Sequence, residues 1–136
     1  MELTREQACD IGENLEMGME CYVHKTTKAI EMLPDERNIY YEPEEWQEII
    51  DKVKKEEENY TKFSPMNSND AFKVMEDFAC SLPEGRVRYD LLDILSDRKP
   101  FANFNSYVQS GPLRNKWFAF KRGAYIDYVL AEAKRL

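Results

Sequence analysis

The spacing of apolar residues changes along the chain, and this change constrains the fold more than any other feature. The segment MECYVHK, residues 19–25, alternates between apolar and polar positions, which is the period of a half-buried strand. The segment KAIEML begins three residues further on, so an antiparallel β-hairpin is predicted. From residue 43 onward the apolar residues recur at helical spacing. The sequence therefore predicts an α+β fold that is predominantly helical.

The predicted hairpin requires a further element, because two isolated strands are only marginally stable in water. Residues 37–41, RNIYY, are the candidate for a third strand, which would complete a small three-stranded antiparallel sheet. Residues 60–63, YTKF, are expected to be extended within a connector. The sheet is then expected to pack with a cluster of C-terminal helices.

Helix boundary signals divide the rest of the chain. Thr4, with a glutamine three residues later, has the spacing of a capping box before the first helix. Pro43 suits the first position of a second helix, and Ser68 or Asn69 is the expected cap of a third. Further helices are predicted over residues 86–96, 100–110 and about 112–134.

The length of 136 residues predicts a single domain spanning 1–136. An N-terminal helix and the β-hairpin would occupy residues 1–41, and the helical part would occupy residues 42–136. The sequence contains no internal repeat and no low-complexity linker that would divide it further.

The closing segment NKWFAFKRGAYIDYVL, residues 115–130, holds five aromatic rings and three cations. On a helix, Trp117 and Phe120 share one stripe and Phe118 lies on an adjacent one, so the rings are interpreted as core. Gly123 costs about 0.5–1 kcal/mol relative to alanine in a helix, which predicts that another backbone approaches it closely. The helical cluster is expected to be built on the aromatic side chains of Phe101, Phe104, Trp117 and Phe120.

The same aromatic residues carry a resemblance to a known family. The segments KPFANFNSYVQ and NKWFAFKRGAYIDYVL resemble the C-terminal pattern of a bacterial uncharacterised protein family of the UPF series. That pattern, a Pro-Phe-x-x-Phe segment and then a Trp-x-x-Phe helix, falls here on Pro100, Phe101, Phe104, Trp117 and Phe120. The strands around Tyr22 and Ile30 are similar to the family's N-terminal half, although residues 26–28 depart from its Thr-Gly-Glu-like turn. The family has no assigned activity, so the resemblance implies no catalytic residue.

Charge is distributed unevenly along the chain. Residues 1–65 hold 17 acidic and 8 basic residues, whereas residues 66–136 hold 9 acidic and 11 basic residues. The basic excess is concentrated in residues 86–122. We interpret these bases mainly as partners of the acidic half, with contact to a partner or to phosphate as the alternative. The residues assigned to that candidate surface are Arg86, Arg88, Arg98, Lys99, Lys121 and Arg122.

The sequence predicts no catalytic residue, no metal site and no cofactor. Three cysteines at unrelated spacings are expected to be reduced and inert, and a zinc site would need ligands from unrelated segments around the single histidine, His24. The glycines are isolated, so no phosphate-binding loop is predicted. The opening MELTREQ lacks the apolar region of a signal peptide, and no apolar run approaches about 20 residues. A cytoplasmic protein with no membrane role is therefore expected.

Three functions are compatible with these features. The absence of a catalytic motif favours a small non-catalytic interaction or regulatory module with a protein partner. The tyrosine-rich segment NIYYEPEEW is one candidate surface, unless its rings are half-buried over the sheet. The alternative is a nucleic-acid-binding protein, in which helices 86–96 and 100–110 imitate a helix-turn-helix and the basic 86–122 region contacts phosphates. The second alternative is an enzyme that uses carboxylates and tyrosines in a cleft. The oligomeric state is left open.

Overall fold

The computed structural model describes residues 1–35, 37–38 and 40–136. Within these residues the chain forms six α-helices and a three-stranded antiparallel sheet, which confirms the predicted α+β fold with its predominance of helix. Short 3-10 helices, Pro43–Trp46 and Glu57–Asn59, lie on either side of α2. The elements are, in chain order, α1 (Arg5–Glu16), β1 (Met19–His24), β2 (Ile30–Pro34), α2 (Gln47–Lys55), β3 (Tyr60–Phe63), α3 (Ser68–Ser81), α4 (Arg86–Leu95), α5 (Pro100–Gln109) and α6 (Arg114–Lys134).

Contacts between residues divide the chain into two compact units. We call residues 1–65 and 125–136 the sheet unit, and residues 66–124 the helical unit. Helix α6 begins in the helical unit and ends in the sheet unit. The sheet unit therefore extends beyond residue 41, because α2, β3 and the end of α6 belong to it. The assignment of the whole chain to one domain stays a prediction.

The sheet has the strand order β2-β1-β3, and both pairings are antiparallel. The predicted hairpin is confirmed by pairing from Met19 with Pro34 to Val23 with Ile30. β3 lies on the other side of β1, in a register that places Phe63 opposite Cys21. The third strand is thus a segment about forty residues further along the chain than β1, and its apolar side chains become buried against the sheet.

The prediction that residues 37–41 form the third strand is wrong. The amide of Asn38 donates to the carbonyl of Asp35, and the amide of Tyr41 donates to the carbonyl of Asn38. Backbone groups engaged in such turns cannot also join a strand ladder. Ile39, within this segment, lies outside the described residues.

One face of the sheet is covered by α1. Cys21 and Val23 on this face are fully buried, and the Cys21 thiol donates to the carbonyl oxygen of Ile11 at 3.9 Å. Gly12 of α1 lies beside Tyr125, so that a β-carbon at Gly12 would be 3.4 Å from the Tyr125 β-carbon. This packing leaves the opposite face of β1, with Glu20, Tyr22 and His24, to form the surface described below.

Helix caps follow the sequence signals closely. The capping box of α1 is confirmed, since Thr4 Oγ1 accepts the Gln7 amide at 3.1 Å and Gln7 Oε1 accepts the Thr4 amide at 2.9 Å. α3 is capped by Asn67, whose Oδ1 accepts the Asp70 amide at 2.8 Å, one residue before Ser68 and two before Asn69, the predicted caps. Pro43 begins a 3-10 helix, and the α-helical part starts later, at Gln47.

The helical unit is organised around packed aromatic rings. The ring centroids of Phe104 and Trp117 are 4.9 Å apart, and Phe78 lies 5.2 Å from Trp117 and 5.3 Å from Phe120. Phe120 is half-buried against this cluster. The buried members of the core are Met75, Phe78, Ala79, Leu91, Leu95, Phe104, Val108 and Trp117.

Two aromatic residues depart from the predicted core. Phe101, in the first turn of α5, is 39% exposed and contacts Phe72 at a ring distance of 6.4 Å, because Phe104 and Val108 are the side chains that α5 buries. Phe118 is 43% exposed, and the guanidinium of Arg114 lies 5.5 Å from its ring centroid. The core interpretation therefore applies to one face of this half of α6 and not to the adjacent stripe.

The close contact predicted at Gly123 is not present among the described residues, where no heavy atom lies within 4 Å of an added β-carbon. We therefore expect Gly123→Ala to raise the free energy of unfolding by about 0.5–1 kcal/mol through helix propensity. Urea denaturation followed by circular dichroism measures this change. Gly12→Ala is the matched comparison, and its gain should be at least as large because the new methyl would be in ordinary van der Waals contact with Tyr125 at 3.4 Å. A loss of stability in Gly123→Ala would contradict the open space at this position.

Candidate binding sites

Two of the bases predicted to contact a partner, Arg86 and Arg88, make contacts within the helical unit. Arg86 Nε lies 3.8 Å from Asp90 Oδ2, and the same oxygen accepts the hydroxyl of Tyr107 at 3.0 Å. Burial and then the hydrogen bond to Asp90 raise the pKa of Tyr107 above its ordinary value. Arg88 donates to the carbonyl oxygen of Leu82 at 3.4 Å, where α3 ends. The bond of Tyr107 to Asp90 joins α5 to α4, and the bond of Arg88 to the Leu82 carbonyl joins α4 to the end of α3.

Arg98 and Lys99 lie side by side in the turn between α4 and α5. The Arg98 amide donates to Asp97 Oδ1 at 2.7 Å, and Asn103 Nδ2 donates to the Arg98 carbonyl at 2.9 Å. These residues line a cavity of about 340 Å³. Lys99 has φ 49° and ψ 54°, a left-handed conformation that costs a non-glycine residue roughly 1 kcal/mol.

The remaining two bases lie on α6. Lys121 is half-buried and Arg122 is exposed. Both therefore lie on a different element from the turn that holds Arg98 and Lys99. Arg98 and Lys99 line one cavity together, and the assignment of all six bases to one surface stays a prediction.

A larger cavity, of about 550 Å³, lies in the sheet unit between α2 and the polar face of the sheet. We call it the tyrosine groove. Its volume falls within the range of about 300–1,000 Å³ that is usual for binding clefts. The groove is lined by Tyr22, Leu33, Tyr41, Ile50, Val53, Lys54, Glu57, Tyr60 and Lys62.

The register of the sheet positions the charges beside the groove. Tyr22 at the centre of β1 is opposite Glu31 on β2 and Lys62 on β3. Lys62 Nζ lies 3.2 Å from the carboxylate of the buried Glu20 and 6.0 Å from the Tyr22 ring centroid. Glu31 accepts from Lys52 Nζ of α2 at 2.6 Å, and this contact raises the pKa of Lys52. The charges on this face are therefore paired with neighbours.

His24 holds the hairpin loop through its imidazole ring. Its Nδ1 accepts the amides of Thr26 and Thr27, each at 3.2 Å, so Nδ1 carries no proton and the hydrogen lies on Nε2. Nε2 is 3.8 Å from the Glu56 carboxylate, and the ring meets Tyr60 edge-on at 5.2 Å. Both ring nitrogens are thus directed to local structure.

The segment of residues 42–58, which contains α2 and the 3-10 helices on either side of it, is acidic on its exposed side. Residues 42–58 hold eight acidic residues against Lys52, Lys54 and Lys55. All eight acids are exposed. We call them the acidic rim, and they are Glu42, Glu44, Glu45, Glu48, Asp51, Glu56, Glu57 and Glu58.

The cysteines are free thiols in three different environments. Cys21 is buried, Cys9 is half-buried and Cys80 is exposed. Burial raises the pKa of the Cys21 thiol to about 12. Among the described residues, no group of three or more His, Cys, Asp or Glu side chains converges as a metal site would require. In the same part of the chain, no helix has the length and apolar character needed to cross a bilayer.

Sequence reasoning missed the tyrosine groove as a site, although it singled out parts of it. The alternation in β1 separates Tyr22 from the buried face, and the segment NIYYEPEEW contains Tyr41. The same alternation in residues 60–63 places Tyr60 and Lys62 on one face. These signals converge only when β3 is known to pair with β1.

The fold and the groove define a small α+β protein with an open, tyrosine-lined cleft in its sheet unit. The family model of an uncharacterised protein family, UPF0158, matches residues 27–131, and the chain belongs to that family. This match confirms the resemblance carried by the aromatic segments. The comparisons with curated proteins and with solved structures give no match.

Proposed function

We propose that this protein is a small, non-catalytic interaction module whose tyrosine groove binds a basic segment of a partner protein. The observation that carries this proposal is the combination of three tyrosine rings in one cleft with the acidic rim beside it. The partner segment would place one aromatic or aliphatic side chain in the groove and its lysines or arginines against the rim.

The lining of the groove supports an apolar anchor. Leu33, Ile50 and Val53 provide aliphatic surface, and the tyrosines provide rings that bury area at a low cost in side-chain entropy. Tyrosine is enriched among the residues that dominate binding energy at protein interfaces. A side chain entering this cleft would therefore contribute most of the affinity.

The charges support a basic flank for the same segment. The sequence of residues 1–65 carries 17 acids and 8 bases, and eight of those acids form the exposed rim. Such an excess beside the groove accelerates encounter with a cationic partner and disfavours anionic ones at this surface. Lys62 is paired with Glu20, so Lys54 is the lining cation that opposes this arrangement.

The polar groups beside the groove support binding rather than chemistry. Glu20 holds Lys62, Glu31 holds Lys52, and the acceptor nitrogen of His24 is occupied by loop amides. A general acid or base must be available to a substrate proton, and these groups already have structural partners. This arrangement favours an interaction module over the carboxylate and tyrosine enzyme considered from the sequence.

The test uses fluorescence anisotropy of the full chain with three short labelled peptides. One contains lysines and arginines around a central phenylalanine, the second replaces that phenylalanine with alanine, and the third replaces the bases with acids. We expect the first to bind, and the other two to bind at least about tenfold more weakly. Equal binding of the first two peptides, or no binding of the first, would overturn the proposal.

Matched variants locate the interaction on the protein. Tyr41→Ala is expected to weaken binding about tenfold, whereas Tyr40→Ala should not, because Tyr40 is 84% exposed and does not line the groove. Lys54→Ala should strengthen binding, since it removes the opposing cation. Asp10→Lys, on the helix against the opposite face of the sheet, should change affinity less than Glu57→Lys. Equal losses in the members of either matched pair would mean that the peptide does not bind in the groove.

A further inference from the structure

A second surface, in the helical unit, has a different composition and is independent of the proposed groove. Helix α5 has the sequence PFANFNSYVQ and contains no charged residue. Phe104 and Val108 are buried and attach it to the core, and Tyr107 bonds Asp90 of α4. The side chains that α5 exposes are those of Phe101, Ala102, Asn103, Asn105, Ser106 and Gln109.

Cations stand at both ends of this uncharged face. Arg98 and Lys99 precede α5, and Arg114 and Lys116 open α6 soon after α5 ends. All four are exposed, and among the described residues none lies within 4.0 Å of a carboxylate oxygen. The acid in the turn, Asp97, accepts the amide of Arg98. The surface therefore offers amides and a hydroxyl between two pairs of positive charges.

We propose that this face of α5 binds duplex DNA. Asparagine and glutamine side chains bond the edges of bases, and a phenylalanine can contact the methyl group of thymine. An α-helix with its side chains is about 10–12 Å across, which fits a major groove about 12 Å wide between rows of phosphates. Cations at the two ends of α5 are then placed for phosphate oxygens while Asn105 and Gln109 face the bases.

The connection between α4 and α5 fits the same role. Four residues, 96–99, separate Leu95 from Pro100, which is the length of the turn in a helix-turn-helix. Charge complementarity with phosphates also favours the helical unit as the DNA-binding part of the protein, because residues 66–124 hold nine bases and seven acids. Arg86 and Arg88 lie on α4, where they contact Asp90 and the carbonyl of Leu82, and their contact with phosphates stays a prediction.

The left-handed conformation of Lys99 allows a variant that separates folding from binding. Lys99→Gly removes the cation and relieves the backbone, so the urea midpoint of the protein should rise while DNA binding weakens. Lys28→Gly is the matched control, because Lys28 is the other non-glycine residue described with positive φ and lies in the hairpin loop. It makes the same chemical change far along the chain from α5.

The test measures binding of the full chain to labelled duplexes of about 20 bp drawn from a random pool, at salt concentrations from about 50 to 200 mM. Lys99→Gly should reduce affinity about three- to tenfold for all sequences and lower the salt slope by about one. Asn105→Ala should instead change the sequences that the protein enriches. Lys28→Gly should match the wild type in DNA affinity, in salt slope and in the sequences that it enriches.

Four results would overturn this inference. The first two are the absence of duplex binding at the lowest salt and tighter binding of single strands than of duplexes. The other two are equal losses of DNA affinity in Lys99→Gly and Lys28→Gly, and an unchanged sequence preference in Asn105→Ala. Each is independent of the peptide assay, because Tyr41 and Glu57 belong to the sheet unit and the DNA surface belongs to the helical unit.

Discussion

Trp117→Ala should lower the free energy of unfolding by about 3–5 kcal/mol, the usual cost of removing a large aromatic ring from a core. Trp117 is 4% exposed, and its ring lies 4.9 Å from Phe104 and 5.2 Å from Phe78. The neighbouring rings cannot fill the space it leaves without moving the helices that carry them. Urea denaturation followed by circular dichroism measures the loss.

Phe118→Ala is the matched control, one position further along the same helix. Its ring is 43% exposed and contacts the guanidinium of Arg114, so a loss of no more than about 1 kcal/mol is expected. Similar losses in the two variants would show that the distinction between the two faces of α6 is wrong.

The free energy of unfolding should fall by up to about 4 kcal/mol between pH 9 and pH 12 through Cys21 alone. The ordinary pKa of the thiol is 9.0, and burial raises it to about 12 in the folded protein. Between these values the unfolded chain releases a proton that the folded chain retains. The unfolded state is favoured by about 1.4 kcal/mol for each pH unit in this window. Below pH 9 the contribution of this thiol is fully present.

Denaturation curves of the wild type and of Cys21→Ala at several pH values measure this dependence. The variant should lose less stability between pH 9 and pH 12, because its buried position no longer titrates. Thiol labelling gives a second readout, in which the exposed Cys80 reacts in the native protein and Cys21 reacts after unfolding. Parallel pH curves for the two proteins would contradict the buried, protonated thiol.

Local patterns in the sequence predict the fold class and most of the elements. The capping box at Thr4, the alternation in β1 and the helical spacing after residue 43 are each contained within a few residues. The third strand is different, because its pairing with β1 is a contact between distant parts of the chain. Residues 60–63 are too short for their alternation to stand out from a connector, and the turns around Asn38 are invisible to a pattern of apolar residues.

The candidate sites also include parts that the local sequence predicts and parts that depend on contacts between distant residues. The pair Arg98 and Lys99 was predictable, because neighbours in sequence remain neighbours in a turn. The pairing of Arg86 with Asp90 was also predictable, because the two residues are four positions apart on one helix, whereas the bond of Arg88 to the Leu82 carbonyl depends on how α3 ends beside α4. The tyrosine groove forms only where three segments come together around α2. The spacing of apolar residues in the sequence does not indicate which distant segments come together.

The arrangement of the two units has a consequence for synthesis on the ribosome. The helical unit is inserted within the sheet unit, which needs residues 125–136 and buries Tyr125, Ile126 and Val129. During translation, every residue of the helical unit is therefore synthesised before the last segment of the sheet unit, residues 125–136. The nascent chain must keep the strands of residues 19–63 soluble during this interval, and the acidic side chains around them oppose premature association.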